Sequence, residues 1–171
     1  IAVSGPRGAL VHGQPSDKKI KKNEIILLDF GCIANGFRSD ITRTFAIGKA
    51  TKEQKDIYKM LREAQKAACS QVRPGMNGKH LDAVARGIVK KAGYGDNFQH
   101  SLGHGIGILT HEKPIITFRK DDQIIPDECV LAIEPGVYLP GKFGIRVEDD
   151  IFVTKNGGEY LTNAPEQLPV I

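Results

Sequence analysis

The stretch "LLDFGCIANGFRSDITRT", residues 27–44, sets two aspartates inside runs that otherwise read as strand. Asp29 follows the apolar run 25–28, and Asp40 stands between Phe37 and Ile41. An unpaired carboxylate in such a setting costs several kcal/mol or gives up its charge. The dipeptide Asn35-Gly36 between the runs is a strong signal for a two-residue hairpin turn. With the turn there, facing residues sum to 71. Gly31 then faces Asp40, and Asp29 faces Thr42. Asp29 and Asp40 become diagonal neighbours on one face, roughly 7–8 Å apart at Cα. Two bare carboxylates brought together in a dry site repel, and one of them protonates. A divalent cation between them removes that penalty.

Further ligands of the same hard kind follow along the chain. "IEPG" puts Glu134 at the end of an apolar strand, and "IRVEDDIFV" puts Glu148 in another. "SLGHGIG" sets His104 between glycines that allow close backbone approach. One imidazole and four carboxylates suit two divalent ions of the Mn, Co, Zn or Fe type better than a structural zinc, which favours thiolates. Taken singly, a strand glutamate is most often an edge or ion-pair residue, and a single histidine is most often structural. The inference rests on all five occurring together. "GHGIG" is not read as a phosphate loop, because no amphipathic helix follows it and no Lys-Ser/Thr completes it.

The rest of the chain reads as scaffold. Thr51 and Gln54 form a capping box that opens a helix over 51–72, with Ile57, Leu61, Ala64 and Ala68 as its apolar stripe. A second helix runs from an Asn77 cap to Gly93, with Leu81, Val84, Ile88 and Val89 on its buried side. Residues 128–134 and 144–154 are the clearest later strands, and 113–127 reads as a polar connecting loop. A strand hairpin, two helices and more strands predict an α+β domain.

Composition narrows the function classes. A chain of 171 residues, 40% apolar and 26% charged, suits one soluble globular domain. A formal charge of +4 gives little reason to expect nucleic acid, and the basic run 17–24 reads as a solvated turn before a strand. No apolar run reaches membrane-spanning length, and no secretory signal pattern is present. Cys32, Cys69 and Cys129 are odd in number and widely spaced, which fits apolar fillers in a reducing, cytoplasmic setting. The opening "IAVSGPRGAL" lacks Met and already reads as strand and turn, as expected of a fragment or a processed product.

The blocks "SGPRGALVHGQPSD", "LLDFGCIANGFRSDITRTF", "HSLGHGIGILTHEKP" and "LAIEPGVYLPGKFGIRVEDDI" together resemble the methionine aminopeptidase/prolidase superfamily of pita-bread metallopeptidases. Within it they are most similar to the Xaa-Pro dipeptidases and related Xaa-Pro aminopeptidases. "EPGVY" and the absence of Trp turn the resemblance away from the methionine aminopeptidases. The resemblance implies a pita-bread catalytic domain, partial at its N-terminus, with residues 1–171 as the C-terminal catalytic portion of a longer parent.

By position, the resemblance implies that Asp29 holds a first metal ion and that Asp40 and Glu148 bridge a pair. His104 and Glu134 then complete the second ion. It also implies that His12 and His111 face the substrate and that Glu134 shuttles a proton. Arg146 supports the carboxylates, and Thr42 steadies them. The implied activity is hydrolysis of the Xaa-Pro bond of dipeptides or short peptides by a hydroxide held between two ions. Mn or Co is first in order, with Zn or Fe as further options. Alternatives are an aminopeptidase acting on longer Xaa-Pro peptides and a catalytically silent peptide-binding fragment. The partner is a short proline-containing peptide, with no nucleic acid and no membrane, and the resemblance leaves a homodimer open.

Overall fold

The structure is a computed structural model that describes residues 1–120 and 122–171. Among the described residues the elements are, in chain order, β1 (Ala2–Ser4), β2 (Ile25–Phe30), β3 (Ile33–Ala34), β4 (Phe37–Arg38) and β5 (Ile41–Ala46). Helices α1 (Lys52–Gln71) and α2 (Gly78–Lys91) follow. The chain then forms β6 (Gly103–Ile106), β7 (Glu112–Ile116), β8 (Val130–Ile133), β9 (Gly136–Leu139), β10 (Phe143–Arg146), β11 (Asp149–Thr154) and β12 (Gly157–Tyr160). A five-stranded sheet has the order β12-β11-β8-β6-β7, and a three-stranded sheet the order β1-β2-β5. The ribbons β9-β10 and β3-β4 complete the set.

The hairpin register holds throughout. Asp29 pairs with Thr42 and Ala34 with Phe37, so facing residues sum to 71. The two expected strands are each interrupted, however, so Gly31 and Asp40 fall outside the ladders. A Cβ on Gly31 would lie 1.9 Å from the Ser39 carbonyl oxygen. Only glycine lets the two backbones come this close. Beyond the interruption, Ser39 N–H donates to Cys32 O at 3.1 Å and Cys32 N–H to Ser39 Oγ at 3.2 Å, which carries the register across. Ile33 and Phe37 of the outer ribbon are exposed, as is Cys32, so this end of the hairpin is not the buried strand its composition implies.

Helix α1 opens with the expected box: Gln54 N–H donates to Thr51 Oγ1, and Thr51 N–H to Gln54 Oε1. Ile57, Leu61, Ala64 and Ala68 are all buried. Helix α2 is capped by Asn77, whose side chain accepts from Lys79 N–H, and Gly93 lies beyond its end at a φ of +89°. Leu81, Ala85 and Val89 form its buried side, whereas Val84 and Ile88 are half-buried. The helices pack on each other; α1 also meets β9, β10 and β12, and α2 meets β7. The shared core includes Leu61, Leu81, Leu131, Ile133, Ile145 and Ile151. Each such side chain contributes about 1.5–3 kcal/mol by burial.

Two expectations need correction. Residues 144–154 are not one strand: the chain leaves the β9-β10 ribbon after Arg146 and joins the five-stranded sheet at Asp149, opposite Ile133. The segment 113–127 is not all loop, since β7 pairs with β6 and buries Ile116. Asp121 of that segment lies outside the described residues.

Candidate functional site

Three of the five candidate ligands stand where the chain changes sheets, while Asp29 and His104 lie within strands β2 and β6. Pro135 has no N–H to extend β8, so pairing stops at Ile133 and Glu134 is left at the crossing to β9. Glu148 occupies the return crossing from β10 to β11, and Asp40 the crossing from β4 to β5. Released from ladder positions, these carboxylates turn toward one point. His104 comes from β6 at a register shift between His104 and Gly105. A Cβ on Gly103 would lie 2.0 Å from Ala132 O, so glycine lets β6 approach β8 closely.

The convergence is tight. Ligand atoms of Asp29, Asp40 and Glu148 lie within 4.8 Å of one another, as do those of His104, Glu134 and Glu148. Glu148 belongs to both sets. A third set joins Asp40, His104 and His111. His104 Nε2 stands 4.0 Å from Asp40 Oδ2 and 3.9 Å from Glu134 Oε1. His104 Nδ1 lies 3.0 Å from Gly105 O, an atom that only accepts. Nδ1 therefore carries the proton, and Nε2 presents its lone pair to the carboxylates. Burial, and then the neighbouring His111, hold the His104 pKa low, which keeps the ring neutral.

The donor set fits divalent cations. Among the described residues, Arg146 is the guanidinium that meets Asp29, Asp40, Glu134 and Glu148. Its Nη2 donates to Asp29 Oδ2 at 2.6 Å, and its Nε lies 3.7 Å from Glu134 Oε2. Without further positive charge the cluster holds protons instead. Asp40 is pushed up to about 7 by burial and by Asp29 and Asp150, against Arg146. Burial pushes Glu134 up to about 8, opposed by Arg146 and assisted by Asp40 and Asp29. Glu148 rises through burial and the charges of Glu134 and Asp40. A hard, oxygen-rich, electron-rich set of this kind matches divalent metal ions.

A hydrogen-bond frame fixes the ligands. Thr42 donates from Oγ1 to Glu148 Oε2 at 2.6 Å and accepts from Arg146 Nε at 2.9 Å. Asp40 N–H donates to Asp150 Oδ2 at 3.1 Å. Asp149 points elsewhere, into ion pairs with Arg43 and Arg62. His12 and His111 are exposed and line the same cavity, of about 470 Å³, into which Asp29, Asp40, Glu134 and Glu148 face. Eight of the nine residues singled out in the sequence therefore border one space, and the ninth, Thr42, stands behind Glu148 and Arg146.

Two contributors were missed. His100 lines the cavity. Its Nδ1 lies 2.8 Å from Ser101 O and so carries the proton, leaving Nε2 to accept from the Tyr138 hydroxyl at 2.9 Å. Tyr138 Oη in turn accepts from Arg146 Nη1 at 2.8 Å. The spacing of His100, four residues before His104, was the available signal.

Known proteins resemble this chain in sequence and in fold. The profile of metallopeptidase family M24 matches residues 1–155. The chain is 44% identical over 168 residues to a Xaa-Pro dipeptidase of Pyrococcus furiosus, covering 98% of this chain and 48% of that protein. A prolidase structure from Thermococcus sibiricus superposes with a TM-score of 0.95 at 43% identity, over 100% of this chain and 46% of its own. An X-Pro aminopeptidase structure from Thermotoga maritima gives a TM-score of 0.95 at 44% identity, over 100% and 48%. The chain thus spans about half the length of the relatives it matches, and its α+β architecture is that of the pita-bread peptidases. Its sequence and its fold together make it a member of metallopeptidase family M24.

Proposed function

We propose that this chain is the catalytic portion of a dinuclear-metal peptidase that hydrolyses the Xaa-Pro bond of dipeptides or short peptides. The observation that carries the reading is the pair of ligand sets sharing Glu148. In this reading Asp29 would hold one ion, His104 and Glu134 would hold the other, and Asp40 and Glu148 would serve both, with Mn or Co as the native metal. When bound, such a pair supplies Lewis acidity and an activated water at neutral pH.

The chain's own residues do the rest. His12 and His111, exposed at the mouth, donate to the scissile carbonyl oxygen as negative charge develops there. Glu134 lines the same cavity and takes the proton released by the attacking water, then passes it from its carboxyl oxygen to the leaving imino nitrogen. Arg146 keeps Asp29 oriented. A bond to proline needs a dedicated site because its nitrogen carries no N–H for recognition. The reading also sets the protein in the cytoplasm, where its three unpaired thiols stay reduced.

A second reading, an aminopeptidase acting on longer Xaa-Pro peptides, is favoured by the equal likeness to the Thermotoga maritima structure. The test is hydrolysis of Ala-Pro, Ala-Pro-Ala and Met-Ala with Mn²⁺ or Co²⁺, and after chelation. The expected result is metal-dependent cleavage of Ala-Pro, by this chain or by a longer parent containing it. Cleavage of Ala-Pro-Ala alone selects the second reading, and cleavage of Met-Ala in preference to either overturns both.

A further inference from the structure

Helix α2 carries an acid-base pair that packing does not require. Asp82 is fully buried, four residues before Arg86. Arg86 Nε and Nη2 grip its two carboxylate oxygens at 2.6 and 2.9 Å. The same guanidinium donates from Nη1 to Phe98 O at 2.6 Å and from Nη2 to His100 O at 2.8 Å. Its carbon lies 4.1 Å from the Phe98 ring centroid and 4.3 Å from that of Phe118. An exposed i,i+4 pair on a helix makes one weak contact and is screened by salt. Here the guanidinium gives two N–H bonds to Asp82 and two more, with a π face, to a neighbouring segment.

That segment leads into the metal-binding cluster. Asp82 Oδ2 also accepts from Leu102 N–H at 3.1 Å. Leu102 O accepts from Glu134 N–H at 2.8 Å. Gly103 then pairs with Ile133, and His104 follows. The backbone held by Asp82 and Arg86 is therefore the one that delivers His104 and fastens the amide of Glu134. No other charged side chain is seen to hold the backbone of 98–102 from α2 among the described residues.

We propose that Asp82 and Arg86 form a positioning clamp: they hold the 98–104 segment in the geometry that sets His104 and Glu134 for metal binding. The pair touches neither metal nor substrate and acts through the backbone. The effect on metal rests on the metal-centre reading above; the effect on the segment does not. Removing an outer partner of a ligand lowers metal affinity by roughly 10–100-fold, and a backbone clamp belongs at the lower end of that range.

The test compares Arg86→Gln with Val89→Ala, which truncates a buried α2 residue without touching the clamp. Both are matched by thermal melting. In metal-free protein, Arg86→Gln is expected to speed amide exchange at Leu102 and Glu134 by about tenfold relative to Val89→Ala, with equal exchange in α1. Mn²⁺ affinity by titration calorimetry is expected to fall about tenfold in Arg86→Gln and to stay unchanged in Val89→Ala. Arg86→Lys, which keeps the charge but not the fork, falls between, and replaces Arg86→Gln if that variant fails to fold. Equal exchange at Leu102 and Glu134 in the two variants overturns the clamp. Faster exchange with unchanged Mn²⁺ affinity also overturns it, because the clamp then stops short of the ligands. A wild-type chain that binds no Mn²⁺ overturns the metal-centre reading instead, and the metal-free exchange comparison alone decides the clamp.

Discussion

The Thr42 hydroxyl stands 2.6 Å from Glu148 Oε2 and joins the β2-β5 hairpin to the β10-β11 crossing. Thr42 Oγ1 also accepts from Arg146 Nε, so one side chain orients a candidate ligand common to both sets and the guanidinium beside it. Thr42→Val keeps the shape and removes the hydroxyl. It strands two buried partners at about 1–3 kcal/mol and is expected to weaken Mn²⁺ binding about 10–100-fold. Thr42→Ser should restore most of the affinity. Titration calorimetry of the two variants checks both, and equal affinity in valine and wild-type proteins contradicts the orienting role.

Acid sensitivity should depend on His100. Burial pushes its pKa down to about 3, against the Ser101 carbonyl, and Arg146, Arg86 and His12 add to the depression. The unfolded chain, with a histidine pKa of about 6.5, binds the proton first as pH falls. This contribution to stability is therefore complete above that value and is lost between it and about 3, at up to about 1.4 kcal/mol per pH unit. Asp40 and Glu134, raised in the fold, act in the opposite sense. The difference between wild type and His100→Gln in urea melts from pH 7 to pH 4 isolates the histidine. The gap in stability should shift toward the variant as pH falls; a gap independent of pH contradicts the assignment.

Gly31 is where the hairpin and the site compete for space. Alanine there sets a methyl group against the Ser39 carbonyl, next to Asp40. Gly31→Ala is expected to cost about 1–3 kcal/mol through overpacking. It should also weaken Mn²⁺ binding more than a core truncation of equal stability cost, such as Leu61→Ala adjusted by temperature. Equal affinity in the two variants would mean that the interruption does not position Asp40.

Much of this arrangement is legible in the chain because its signals are local. Asn35-Gly36 sets the register of the hairpin, and the sum of 71 survives even where the ladder breaks. Thr51 and Gln54 mark α1 through a contact spanning three residues. The misreadings are non-local. Nothing in "GIRVEDDIFVT" shows that the chain changes sheets at Glu148, since apolar continuity is the same whichever strand pairs with it. Strand β7 hides in a polar, proline-bearing segment because its pairing with β6 supplies the order. Asp82 and Arg86 look like any solvated i,i+4 pair until Phe98, Phe118 and the 98–102 backbone close around them.

The central claim is that two ions share Glu148 and Asp40. The most direct measurement is the number of Mn²⁺ ions bound per chain at saturation, by equilibrium dialysis, in wild type, Asp40→Ala and Glu148→Ala. Two ions in wild type, and one or none in each variant, is the expected result. A wild-type chain that binds fewer than two, or a variant that still binds two with undiminished affinity, would contradict the shared-ligand centre.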